Sequence, residues 1–205
     1  ETKNQPLNVI LMIGDGMGLS QITAGMYSND NKTVLEEFSY VGLQKTHASR
    51  SLVTDSAAGA TAMACGEKTL NRTIAINTKN KKLKSILKIC KEKEYLTGLI
   101  VTATIVHATP AAFFANVANR YKYEEIAPQL LNGEVDYFIG GGKKYFIKRK
   151  DKLNLIKNQN EYFIVDSYKE YNESKHSKIG YFTYYDVPPR MSEGRKPSLA
   201  NLLDS

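Results

Sequence analysis

Between Val53 and Ala64 the chain reads Val-Thr-Asp-Ser-Ala-Ala-Gly-Ala-Thr-Ala-Met-Ala. This stretch constrains the fold most. Thr54 and Asp55 are turn-prone, and the small residues from Ala57 to Ala64 favour a helix apart from Gly59. Ser56 therefore falls at the start of that helix. The first N–H groups of a helix lack internal partners and carry partial positive charge, so a phosphate or other oxyanion is stabilised there. A serine so placed is either a cap, as Thr54 and Asp55 also can be, or a nucleophile whose alkoxide the same field favours. The small side chains behind it allow close approach by a neighbouring element.

The remaining chain reads as an α/β protein. The run Leu7–Ile13 is apolar and bounded by Pro6 and Gly14. It predicts a buried, central parallel strand. Gly14-Asp15-Gly16-Met17-Gly18 follows, with a spacing unlike the dinucleotide fingerprint. Asp15 is thereby a metal ligand at a strand end or an ordinary turn residue. Helical patterns follow over Leu19–Tyr27, Val34–Phe38 (one turn), Leu83–Lys93, 111–119 and Tyr123–Leu131. Strand patterns fall at Tyr40–Lys45, Tyr95–Thr102, Val135–Ile139, Tyr162–Val165 and Gly180–Tyr185. In 104–110, Thr109 suits an N-cap and Pro110 the first helical position. His107 and Thr109 then follow a strand end, with Arg120 at the far end of the next helix. His107 is either structural or part of a site, and Arg120 either an ion pair or an anion clamp. His47 lies in a polar loop.

Charge and cysteine content narrow the function. Net charge is +7, from 28 basic and 21 acidic residues. Much of the excess lies between Lys143 and Lys157, a solvated surface or a nucleic-acid patch. No apolar run is long enough to cross a membrane as a helix. Cys65 and Cys90 are not a Cys-x-x-Cys pair, which argues against a cysteine zinc site and leaves buried thiols or one disulfide. Asn71-Arg72-Thr73 is an N-glycosylation pattern. Glu1 in place of Met is consistent with a removed leader. The expected organisation is 1–142 as the nucleophile-bearing core, 143–195 as an insertion or cover over one sheet edge, and 196–205 as the start of the next core helix.

Taken together, Asn8–Gly18, Val53–Ala64, His107–Arg120, Val135–Phe146 and Pro197–Leu203 resemble the N-terminal portion of the alkaline phosphatase family. The resemblance implies a mostly parallel central sheet with helices on both faces, a three-layer sandwich that is incomplete in this chain. It implies hydrolysis of small-molecule phosphate monoesters through a phosphoserine intermediate, with two Zn²⁺ and one Mg²⁺. By that resemblance Ser56 is the nucleophile and a metal ligand, and Arg120 holds two phosphate oxygens. Asp15 touches a zinc and the magnesium, and Thr109 belongs to the magnesium site. At the position of His107 some members carry Asp and others His, which alters the third metal site. A homodimer, a periplasmic or secreted location and no nucleic-acid partner are implied as well. Further family ligands lie downstream, so the site is expected to be incomplete, and these residues inactive on their own. Two alternatives remain. One is a related metal-dependent sulfatase or phosphodiesterase, although the x-Pro-x-Arg of a sulfatase is missing after Ser56. The other is a non-catalytic anion- or nucleic-acid-binding module.

Overall fold

A computed structural model describes residues 8–203. They divide into a unit ending at Lys45 and a second unit, Thr46–Ser205. Each is described by itself.

The first unit holds helix α1 (Leu19–Tyr27) and one 3-10 turn (Val34–Glu37). Thr33 starts that turn, its hydroxyl accepting from the Leu35 N–H at 3.3 Å. Of the strand expected at Leu7–Ile13, Leu7 lies outside the described residues, and 8–13 form no ladder among the described residues. Val9 and Ile10 are 77% and 85% exposed. A parallel strand exists only where neighbours complete its hydrogen bonds, and no described strand of this unit does so. The same reason removes the strand expected at Tyr40–Lys45.

The second unit is built on a four-stranded, wholly parallel sheet. Its strands are β1 (Gly98–Thr104), β2 (Tyr137–Gly141), β3 (Phe163–Val165) and β4 (Ile179–Phe182), in the order β1-β2-β4-β3. Alternation sorts β2 and β4 onto two faces. Ile139, Ile179, Tyr181 and Val165 pack with Tyr168 and Tyr171 of α7 (Tyr168–Glu173) and Leu202 of α8 (Leu199–Leu203). On the opposite face Phe182 meets Phe138 at 5.3 Å between ring centres and Phe146 of α6 (Lys144–Ile147) at 4.9 Å. Helices therefore cover both faces. Segment 143–195, expected as a cover over one edge, supplies β3 and β4 to the sheet itself. Gly180 explains how β4 enters: it pairs with Phe138, and a Cβ at Gly180 would lie 2.1 Å from the Phe138 ring.

β1 starts later than the sequence suggests and is only half-buried. Leu99 and Val101 are partly covered and Ile100 is 39% exposed, against the expected burial of all three. Helix α3 (Ile86–Glu92) begins after its N-cap Ser85, later than the expected Leu83, whose N–H donates to the Ala75 carbonyl at 2.8 Å. Buried Asp136 accepts from the Thr97 N–H at 2.9 Å, the Thr97 hydroxyl at 3.2 Å and Lys91 of α3. A buried carboxylate persists only with such partners, and these tie α3 to the feet of β1 and β2.

Helix α2 (Ser56–Cys65) is the small-residue helix. Ala57, Ala58, Ala60, Thr61 and Ala64 are buried, and α4 (Ala108–Ala111) packs against it. Helix α5 (Tyr123–Leu130) carries Pro128 near its end. No helix is long and apolar enough to cross a membrane among the described residues.

Candidate active site

Ser56 is the first residue of α2, and Asp55 is its N-cap. The Asp55 Oδ1 accepts the Ala58 N–H at 2.9 Å, satisfying one orphan donor of the helix. Oδ2 of the same carboxylate accepts the Arg72 N–H at 3.0 Å and Arg120 Nη1 at 3.1 Å. One aspartate therefore caps the helix of Ser56 and grips the guanidinium of Arg120. The two groups lie 65 residues apart in the chain. The pair is mostly shielded, with side chains 23% and 14% exposed. The sequence suggests Asp55 only as a cap, because nothing local announces so distant a partner.

His107 supplies the second hold on Arg120. Its Nε2 lies 2.9 Å from Nη2. A guanidinium can only donate, so Nε2 accepts in this contact. Its Nδ1 lies 3.4 Å from the Thr109 N–H. Asp55 and His107 engage two of the five guanidinium N–H donors, and a bidentate phosphate requires two more.

The local structure around His107 differs from expectation. His107, not Thr109, is the N-cap of α4, which is four residues long. Pro110 is its third residue, where a missing N–H costs nothing because the first N–H groups have no internal partner. The helix expected over 111–119 does not continue, because the Val117 backbone pairs with Ile74 in an antiparallel bridge. Their two N–H···O bonds are 3.0 and 2.9 Å. This detour delivers Arg120 beside Arg72, whose carbonyl accepts the Arg120 N–H at 2.8 Å.

Ser56, His107, Thr109 and Arg120 thus belong to one unit, around the start of α2 and the loop after β1. Asp15 belongs to the first unit, in an exposed turn. His47 is exposed and its carbonyl accepts from Lys68. Cys65 and Cys90 are free thiols. Burial, with Glu67 nearby, pushes the Cys65 thiol up to about 11. In the basic run, Lys143 pairs with Asp166 and Lys144 with Asp186. Arg149 pairs with Asp151 and also donates to the Glu124 carbonyl. Those three cations are neutralised locally, which weakens a phosphate-backbone reading. Among the described residues no three His, Cys, Asp or Glu side chains come together as a metal cluster.

A family model of alkaline phosphatase matches residues 7–205. This chain belongs to the alkaline phosphatase family. Alkaline phosphatase 3 of Bacillus subtilis is 38% identical over 216 residues, covering 97% of this chain and 46% of that protein. The alkaline phosphatase of Schizosaccharomyces pombe is 32% identical, covering 100% of this chain and 45% of its own length. The chain thus spans about half the length of these alkaline phosphatases. The structure of the alkaline phosphatase from the Antarctic bacterium TAB5 superposes with a TM-score of 0.87 at 37% identity, over 93% of this chain and 57% of that one. A variant of that alkaline phosphatase, at TM-score 0.84 and 38% identity, has Mg bound in its M3 site.

Proposed function

We propose that this chain carries the nucleophile and the phosphate clamp of a phosphomonoesterase. The observation that carries the reading is the Asp55–Arg120 contact at 3.1 Å, which fixes a guanidinium on the N-cap residue that precedes Ser56. Ser56 Oγ attacks phosphorus, the P–O bond to the alcohol breaks, and phosphoserine forms as the alcohol departs. Water then cleaves the phosphoserine to inorganic phosphate and restores the hydroxyl. Arg120 offers a planar fork to two phosphate oxygens, a match that lysine lacks. The N-terminus of α2 adds partial positive charge where the phosphoryl group gains negative charge.

Cations enter the reading through donor chemistry. Ser56 and Thr109, in the second unit, offer oxygen only, which suits a hard cation such as Mg²⁺. Zinc sites favour nitrogen and sulfur ligands, and among the described residues no such cluster is gathered, so these donors by themselves do not fit the two Zn²⁺. Bound Mg²⁺ would neutralise phosphate charge and orient it. A homodimer and a periplasmic or secreted location complete the proposal, supported by family membership alone.

The test is hydrolysis of p-nitrophenyl phosphate by the chain with added Zn²⁺ and Mg²⁺. Ser56→Ala is expected to abolish any turnover while phosphate still binds; unchanged turnover would remove Ser56 as the nucleophile. Arg120→Ala is expected to weaken inorganic phosphate binding by roughly tenfold or more, as loss of a charged hydrogen-bonding partner does. Turnover that persists in chelator would exclude the metal-assisted reading.

A further inference from the structure

We propose that Asn71 is a positioning residue for the phosphate site, and that the turn it forms with Arg72 holds the Ser56 segment and Arg120 in register. This rests on the phosphatase reading above and deepens it.

Asn71 is exposed, and an exposed amide ordinarily bonds to water. Here both ends bond to the backbone just before Ser56. Nδ2 donates to the Val53 carbonyl at 2.9 Å, and Oδ1 accepts the Asp55 N–H at 3.1 Å. The side chain bridges residues two apart, as a neighbouring strand would, and so fixes the segment leading to Ser56. The next residue completes the clamp. The Arg72 N–H donates to Asp55 Oδ2, and the Arg72 carbonyl accepts the Arg120 N–H. Two consecutive residues thereby tie the nucleophile segment to the backbone of the guanidinium that serves it. The turn closes through the Thr73 N–H to the Leu70 carbonyl at 3.2 Å. Arg72 adopts φ +69°, the left-handed region that favours glycine. A non-glycine residue persists there only where its surroundings over-determine it, and such strain gathers at functional sites. The Asn71-Arg72-Thr73 sequon acquires a different meaning: a glycan on Nδ2 would take one of the two hydrogens this contact draws on.

The experiment uses the ¹⁵N-labelled 205-residue chain. In the wild type, the Asp55, Arg72 and Arg120 amides are expected to exchange as one unit, with protection factors within about threefold of each other. Unrelated protection of Asp55 and Arg120 would overturn the proposal without any variant. In Asn71→Ala, the Arg120 guanidinium resonance is expected to move toward that of free arginine, and inorganic phosphate to bind about tenfold more weakly. Thr97→Val, which loses hydrogen bonds at the foot of β1, serves as the control for general destabilisation and should move neither reading. An unmoved Arg120 resonance in Asn71→Ala overturns the proposal. So does a phosphate affinity that falls in Arg120→Ala but holds in Asn71→Ala. If Arg120→Ala itself binds phosphate as the wild type does, the clamp reading of Arg120 fails, and the guanidinium resonance alone decides the role of Asn71.

Discussion

Asp55 holds both of its jobs with one carboxylate, and substitutions separate them. Asp55→Ala removes the cap on Ala58 and the partners of Arg72 and Arg120, and is expected to cost about 1–2 kcal/mol in urea unfolding. Asp55→Asn keeps a capping oxygen and should recover much of that stability, because Asn caps about as well as Asp. Equal losses in the two variants would mean that the charge on Arg120, not the cap, dominates. Arg72 invites the opposite change. With φ +69°, Arg72→Gly is expected to relieve roughly 1–2 kcal/mol of backbone strain, the cost of a left-handed L-residue, less the extra entropy glycine gives the unfolded chain. A lower midpoint would mean that the Arg72 side chain makes contacts worth more than the strain. The sequence alone places Ser56 at a helix start, Asp55 as a cap and Arg120 as either an ion pair or an anion clamp. The bond joining them was invisible, because its register depends on the turn at Asn71 and the bridge between Ile74 and Val117.

Among the elements, β4 is the one whose place in the sheet composition concealed. It sits inside a basic, tyrosine-rich segment that reads as surface, yet all four of its residues are buried. The strand pattern expected at Gly180–Tyr185 marks the element, but a short strand buried on both faces carries no polar alternation to tell a sheet member from a cover. Its entry depends on the space at Gly180. Gly180→Ala would place a methyl 2.1 Å from the Phe138 ring, so something must shift. The expected cost is about 1–3 kcal/mol, typical of overpacking, read as a lower denaturant midpoint at unchanged m-value. An unchanged midpoint would show that Phe138 can swing aside freely. The α-helices were more legible. α1 and α5 fall within a residue of their sequence-based bounds, since amphipathic periodicity and local propensity act over neighbouring residues. α4 fell short because a long-range bridge competed with local propensity and won.

At the scale of the molecule, alkaline pH is where stability should be lost. Burial raises the Cys65 thiol to about 11 and the Tyr171 hydroxyl to about 12, and raises Tyr162 also. In each case the unfolded chain ionises first and so binds fewer protons than the folded one. Stability therefore falls as pH climbs from the ordinary thiol and phenol values toward the raised ones. The expected result is a melting temperature that declines progressively above about pH 9, whereas a flat profile to pH 11 would mean that these groups are better hydrated than their burial indicates. Alkylation reads one of them directly: at pH 8 Cys65 should react about 100-fold more slowly than an unperturbed thiol, in proportion to its thiolate fraction. The sequence by itself determined what depends on neighbours in the chain: the helix that begins at Ser56, the α/β rhythm, and the ordered motifs that identify the alkaline phosphatase family. Only the tertiary structure decided which apolar runs became strands, since a parallel strand needs partners that its own residues cannot supply. The run before Asp15 has none among the described residues of its unit, while the short run at Ile179–Phe182 has one on each side. It also decided that Arg120 faces Asp55 and His107, because an ion pair spanning 65 residues is set by how loops pack and not by any local preference.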